Sequence, residues 1–270
     1  MWNDWFTIGK LTIHGYGVCI AVGFLCALLL ASHRAKKRGL SEDACYGLTF
    51  CAVIFGILGA KLMFIIVEWK AFIANPKEVL STSGFVVFGG LTLGILSAVF
   101  YCRAKKLSFW TYMDLICPSI ALGQAFGRLG CFCAGCCYGK RTDSWLGITF
   151  HNSHYAPNGV KLLPSQLISS GANFLHMIVL LLIAKKAEKS GKKGVVTGFF
   201  MIFYSVGRFF IEMLRADDRG EVGKFSTSQF YGFIIAAFGI GVVIWALTHK
   251  EKETSEAIVD NNEKKEGSEA

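Results

Sequence analysis

"CYGLTFCAVIFGILGAKLMFIIV", Cys45–Val67, runs for 23 residues with a single charge, Lys61. The hydrocarbon core of a bilayer is about 30 Å thick, and roughly 20 apolar residues in a helix cross it. This stretch therefore reads as a membrane span, and it is not alone. Seven apolar segments can be drawn, near 13–32, 45–67, 85–102, 111–133, 167–184, 195–214 and 228–248. The chain is 270 residues long, 53% hydrophobic, and has only four prolines. The expected class is an all-α, polytopic membrane protein. The N-terminus "MWNDWFTIGK" has neither a basic n-region nor a small-residue cleavage site, so the first segment is kept as a helix.

The charge of +9 fits the cytoplasmic loops of such a protein and is not a nucleic-acid signal. "HRAKKRG" (33–39), "RAKK" (103–106) and "KKAEKSGKK" (185–193) follow the first, third and fifth segments. All three basic connections thus fall on one side. The positive-inside rule places that side in the cytoplasm, the N-terminus outside and the C-terminus inside. An odd number of spans requires the termini to face opposite sides. The longest connection, Lys140–Pro164, is too polar to span and is expected to form a small external lobe between the fourth and fifth helices. The tail after Lys250 is rich in Glu, Lys and Asn and is expected to be disordered.

Ionisable residues within spans cost about 2.5–3.5 kcal/mol each at a helix centre, so they default to functional hypotheses. Tyr204, Arg208, Glu212 and Arg215 are spaced 4, 4 and 3 apart and share one helical stripe. Glu212 can neutralise only one arginine, which leaves positive charge for an anion. Arg215 can instead snorkel to the interface. Arg128 lies between Gly127 and Gly130 near the outer end of the fourth segment. Guanidinium forks bind phosphate oxygens bidentately, and Arg128 and Arg208 are expected to converge on one phosphate. Lys61 can add a third charge or pair with Asp114. Tyr16 in "IHGYG" sits at the outer interface. "FGGLTLG" (88–94) starts the third span; Gly89 and Gly90 serve either lipid approach or close helix packing.

Ten cysteines are present. Six are scattered through apolar runs and read as small buried hydrophobes. Cys131, Cys133, Cys136 and Cys137 form the run "CFCAGCC". Four readings stand: a zinc or iron–sulfur site, a disulfide (Cys133 with Cys137, or Cys131 with Cys136), a catalytic thiol that carries a transferred group transiently, or thiols substituted into an inherited backbone. The last is preferred, because a compact run at a helix end need not bring all four thiols together. No metal and no cofactor are assigned.

Five stretches, in order and spacing, resemble the bacterial prolipoprotein diacylglyceryl transferases. They are "HGYG", "FGGLTLG", "DLICPSIALGQAFGRLG" (114–130), "LPSQL" (163–167) and "YSVGRFFIEMLRADD" (204–218), and the similarity covers about Ile13 to Leu247. The resemblance implies a seven-helix membrane bundle with an external head lobe. It implies transfer of the diacylglyceryl group of phosphatidylglycerol to the lipobox cysteine thiol of prolipoproteins, releasing glycerol phosphate. On this reading residues 1–250 form the membrane transferase domain, with the lobe at 139–165, and 251–270 form a cytoplasmic tail. Arg128, Arg208, Glu212 and Tyr16 take catalytic roles. Arg128, Arg208, Gly139, Tyr204, Gly89 and Gly90 bind phosphatidylglycerol. The partners are phosphatidylglycerol, prolipoprotein signal peptides and membrane lipid, with no nucleic acid, and the chain is expected to act as a monomer in the bacterial plasma membrane. The general base is unassigned: the family's usual His-Gly-Gly is Phe88-Gly89-Gly90 here, and Cys131, Ala134 and Cys136 stand where the family keeps Asn, Asn and Glu. The alternative is a homologue repurposed as a lipid or anion transporter, or as a transferase for another acceptor.

Overall fold

The computed structural model describes residues 4–8, 11–82, 84–216, 221–222 and 225–249. The expected disordered tail at 251–270 lies outside them. Seven of its helices are long and apolar enough to cross a membrane. They are α1 (Gly15–Lys37), α2 (Glu42–Val67), α5 (Val87–Ala104), α6 (Phe109–Ala134), α7 (Ser165–Ser190), α8 (Val195–Leu214) and α9 (Thr227–Thr248). The all-helical, seven-span expectation is met, with ends shifted by up to six residues. Two short helices, α3 (Trp69–Ala74) and α4 (Pro76–Ser81), occupy the connection after α2. Three small antiparallel hairpins are present among the described residues: β1 (Asp4–Ile8) with β2 (Leu11–His14), β3 (Ile148–Thr149) with β4 (Lys161–Leu162), and β5 (Glu221–Val222) with β6 (Phe225–Ser226).

Helix ends follow local chemistry. Ser41 caps α2, its hydroxyl accepting from the Ala44 amide at 3.2 Å, and Glu42 and Asp43 fill the positive first turn. Arg34, Lys36 and Lys37 occupy the last turn of α1, where the helix dipole favours cations. Ser226 and Gln229 form a reciprocal capping box on α9.

The described residues fall into two compact units, one running to Ala31 and again from Met113 onward, the other within Ser32–Tyr112. In the second unit α2 and α5 meet through glycines. A side chain at Gly89 would overlap the Gly59 carbonyl, and a Cβ at Gly90 would stand 2.8 Å from the Gly56 oxygen. Small residues let two membrane helices approach this closely, because dispersion and backbone contacts replace the hydrophobic drive that lipid does not supply. Lys61 donates to the Val79 and Thr82 carbonyls at 2.9 and 2.6 Å, at the end of α4. It holds α4 to α2 and is not the partner of Asp114.

In the first unit, Leu180, Ala184, Val195, Val196 and Ala246 bury a shared core of α7, α8 and α9 with Cys117 and Ala121 of α6. Asp114, 3% exposed, accepts from the Gly194 amide (2.7 Å), the Thr197 amide (2.8 Å) and the Thr197 hydroxyl (2.6 Å). A carboxylate on the free amides of a helix N-terminus satisfies orphan donors and complements the dipole. Asp114 is therefore the N-terminal cap of α8, supplied from a helix 80 residues earlier. The lobe after α6 has its own small core of Phe150, Ala156 and Leu162.

Candidate active site: an arginine cavity and a thiol cluster

Three helices of the first unit enclose a cavity of about 100 Å³. Its polar lining is Gln124 and Arg128 from α6, Ser169, Asn173 and His176 from α7, and Tyr204 and Arg208 from α8. Arg128 and Arg208 line the same cavity. Arg208 pairs with Glu212 one turn on at 2.8 Å, with side chains only 11% and 9% exposed. It also donates to the Ser228 hydroxyl of α9 at 2.9 Å. Arg128 has no carboxylate partner among the described residues. Among the described residues, two guanidinium groups and one carboxylate leave one positive charge in excess, a composition suited to a phosphodiester anion.

The shared stripe stops at Glu212. Arg215 follows the last residue of α8 with extended backbone (φ −87°, ψ 157°), and at 6% exposure it is buried and does not snorkel. Gly139 bridges Arg215, its amide donating to the Leu163 carbonyl at 3.0 Å. A Cβ at Gly139 would lie 2.5 Å from the Leu163 oxygen and 2.9 Å from that of Leu214. Gly139 is thus clamped where the lobe leaves and re-enters the helices, and it does not line the cavity. Gly89 and Gly90 belong to the α2–α5 contact of the other unit. Tyr16, in the first turn of α1 and 42% exposed, rests on the Cβ-free face of Gly130 and lies within electrostatic reach of Arg128.

His176 and Gln124 are additions that the sequence reading did not name. The His176 ring stacks on Phe200, centroids 5.2 Å apart, and its Nε2 has no hydrogen-bond partner among the described residues. Gln124 Oε1 is likewise unpartnered and buried. A lone histidine in the apolar run of α7 was the available signal.

Residues 3–245 match the prolipoprotein diacylglyceryl transferase family. The chain belongs to that family. It is 45% identical over 239 residues to the phosphatidylglycerol–prolipoprotein diacylglyceryl transferase of Clostridium tetani, covering 88% of this chain and 94% of that protein. To transferase 2 of the same name from Clostridium perfringens it is 41% identical, covering 91% and 96%. The Listeria welshimeri protein of that name is 32% identical, covering 88% and 87%.

In this transferase fold the end of α6 carries the cysteines. Gly135, at φ +72°, sits just past the helix, a left-handed position that an L side chain would strain. Its amide donates to the Phe132 carbonyl at 3.1 Å, and the Cys136 amide to that of Cys131 at 3.1 Å. These two bonds are the paired pattern of a Schellman cap, in which the residues at Cys131 and Cys136 are brought into contact. Cys137, itself at φ +60°, turns inward as well. The Sγ atoms of Cys131, Cys136 and Cys137 all lie within 4.8 Å of one another. Cys133 points away, toward the Cys19 thiol. All ten cysteines are free thiols.

Hydrogen bonds from the Cys131 and Cys136 thiols, then the Arg215 guanidinium, hold the Cys137 thiol well below its ordinary range. Cys136 is pushed up, by its bonds to the other two thiols and then by burial. The backbone beneath is pinned: Gln166 Nε2 donates to the Cys136 carbonyl and Ser165 Oγ to that of Cys137, each at 2.8 Å.

Proposed function

We infer that this chain transfers the diacylglyceryl group of phosphatidylglycerol to the lipobox cysteine thiol of prolipoproteins. The observation that carries the reading is the cavity holding both Arg128 and Arg208, with Glu212 neutralising only one of them. The lipid phosphate binds there. Arg128 forks onto its oxygens, and Arg208, aligned by Glu212 and Ser228, supplies the second guanidinium. Tyr204 and Tyr16 position the headgroup and glycerol. In the reaction the acceptor sulfur bonds to the glyceryl carbon, the carbon–oxygen bond to phosphate breaks, and the electron pair leaves on glycerol phosphate. The departing phosphate gains charge, and arginines already placed for it stabilise the transition state more than the ground state.

The basic ends of α1, α5 and α7 support an orientation with the N-terminus and the lobe outside the bacterial plasma membrane and the C-terminus in the cytoplasm. The acceptor cysteine reaches the enzyme on the outer side, as a membrane-tethered signal peptide. The described lining of the arginine cavity comes from one chain, which supports a working monomer. Complementation tests the reading. Cells depleted of their own transferase and expressing this chain should again carry lipidated prolipoprotein. A well-expressed, membrane-inserted chain that restores none would favour binding or transport of the lipid without chemistry.

A further inference from the structure

The three-thiol cluster has no role in the phosphate clamp, yet the fold builds it with care. A Schellman cap ordinarily closes on an apolar contact between the residues that here are Cys131 and Cys136. Two thiols occupy those positions instead, and a third residue, Cys137, adopts a left-handed backbone that brings its sulfur to the same point. Thiolates bound to zinc at about 2.3 Å stand roughly 3.8–4.0 Å apart, which the 4.8 Å span of the three sulfurs accommodates with a small inward rotation. All three residues are partly exposed, so the site has an entry path. A doubly charged cation with three thiolates carries one net negative charge. Arg215, buried and in hydrogen-bonding contact with the Cys137 sulfur, supplies the compensating positive one. Gln166 and Ser165 hold the ligand backbone from behind, the outer support that metal sites need.

We propose that Cys131, Cys136 and Cys137 bind one zinc-class cation as a tri-thiolate site, and that its open fourth position takes the acceptor cysteine of the prolipoprotein as a thiolate. Three protein ligands with one position open is the coordination of a catalytic, not a structural, zinc site. A coordinated thiol is deprotonated outright, and the thiolate is the form that alkylation needs. On binding, the acceptor thiol releases its proton to water. Its sulfur lone pair then forms the bond to the glyceryl carbon, the carbon–oxygen bond breaks, and glycerol phosphate leaves with the electron pair. The cation does not change oxidation state. The site is placed for this: Arg128 and Cys131 stand three residues apart on the last turns of α6, on one side of the helix, and Tyr16 packs against Gly130 between them. This role rests on the transferase reading; the metal site itself does not.

The test uses the full chain in detergent under anaerobic, reducing conditions. Cobalt(II) should bind one equivalent and give sulfur-to-cobalt charge-transfer absorption, and zinc should displace it. Cys133→Ser should behave as wild type. Cys131→Ser, Cys136→Ser and Cys137→Ser should each weaken binding by about 100-fold, with the wild-type elution profile retained. Independently of any variant, zinc should protect three thiols of the wild-type chain from a maleimide reagent. A lipobox peptide with its cysteine should raise the charge-transfer intensity by about a third, as a fourth sulfur enters, and its serine analogue should not.

Wild-type protein that binds no cobalt through sulfur, or that shows a disulfide among the three, overturns the metal site. Cobalt bound at the three thiols without any response to the cysteine peptide overturns the acceptor role. Full lipidation by protein freed of metal overturns that role too. A chain that binds cobalt and the cysteine peptide but never lipidates overturns the transferase reading and leaves the metal site standing.

Discussion

Replacing Arg128 by alanine is the sharpest perturbation of the cavity. Arg208 and Glu212 compensate each other at 2.8 Å, so Arg128 carries the charge in excess. Without it, the described residues of the cavity offer the phosphodiester no cation beyond the one paired with Glu212. A hydrogen bond to a charged group contributes about 1.5–3 kcal/mol. A bidentate fork in a partly desolvated cavity therefore loses about 3–4 kcal/mol, or roughly 10²–10³-fold in kcat/KM at about 1.4 kcal/mol per decade. Removing one preorganised donor from a developing anion in other enzymes costs a similar factor. Arg128→Lys keeps the charge but not the fork and should lose about tenfold, between wild type and alanine. Stability should change little, because the side chain lines a cavity and has no ion pair among the described residues. The assay is turnover of phosphatidylglycerol with a lipobox peptide in detergent, with thermal midpoints measured alongside. An alanine variant within about threefold of wild type, less than 1 kcal/mol, would refute the assignment of the phosphate to Arg128.

Three further outcomes follow from particular contacts. Gly139→Ala places a Cβ 2.5 Å from the Leu163 oxygen, and such overpacking costs about 1–3 kcal/mol; the thermal midpoint should fall while KM for the lipid stays put. A raised KM with an unchanged midpoint would make Gly139 a substrate contact. Asp114→Asn keeps the shape but exchanges a charged acceptor for a neutral one against three donors; about 1–3 kcal/mol of stability should be lost, read as a lower midpoint with activity per folded molecule retained. His176→Phe preserves the stack on Phe200 but removes the unpartnered Nε2 from the cavity; kcat/KM should drop by about tenfold, one hydrogen bond's worth, and equal activity would make the ring a packing element.

The spans were legible because their signal is local. A run such as Cys45–Val67 is apolar on every face and long enough to cross a bilayer whatever its neighbours do. The stripe through Tyr204, Arg208 and Glu212 was legible for the same reason, since helical periodicity alone stacks residues four apart. It failed at Arg215 because α8 ends at Leu214 and the next residue is extended. The hairpin over Asp4–His14 went unseen, being short and adjacent to a much stronger helical pattern. Gly135 was a readable signal of a helix stop; attending to it would have put Cys131 beside Cys136.

The sequence by itself determined the number of spans, their approximate limits, the Arg208–Glu212 pair and the family to which the chain belongs. Each depends on spacing along one segment or on the order of motifs. The tertiary structure decided which of the polar residues meet. Arg128, His176 and Arg208 come from three helices, and their convergence depends on how each helix is rotated about its axis, which the packing of buried small residues fixes and no single segment encodes. The same packing gave Lys61 to the carbonyls of α4, Asp114 to the amides of α8, and Gly89 to the α2–α5 contact. It also turned a linear run of four cysteines into a cluster of three.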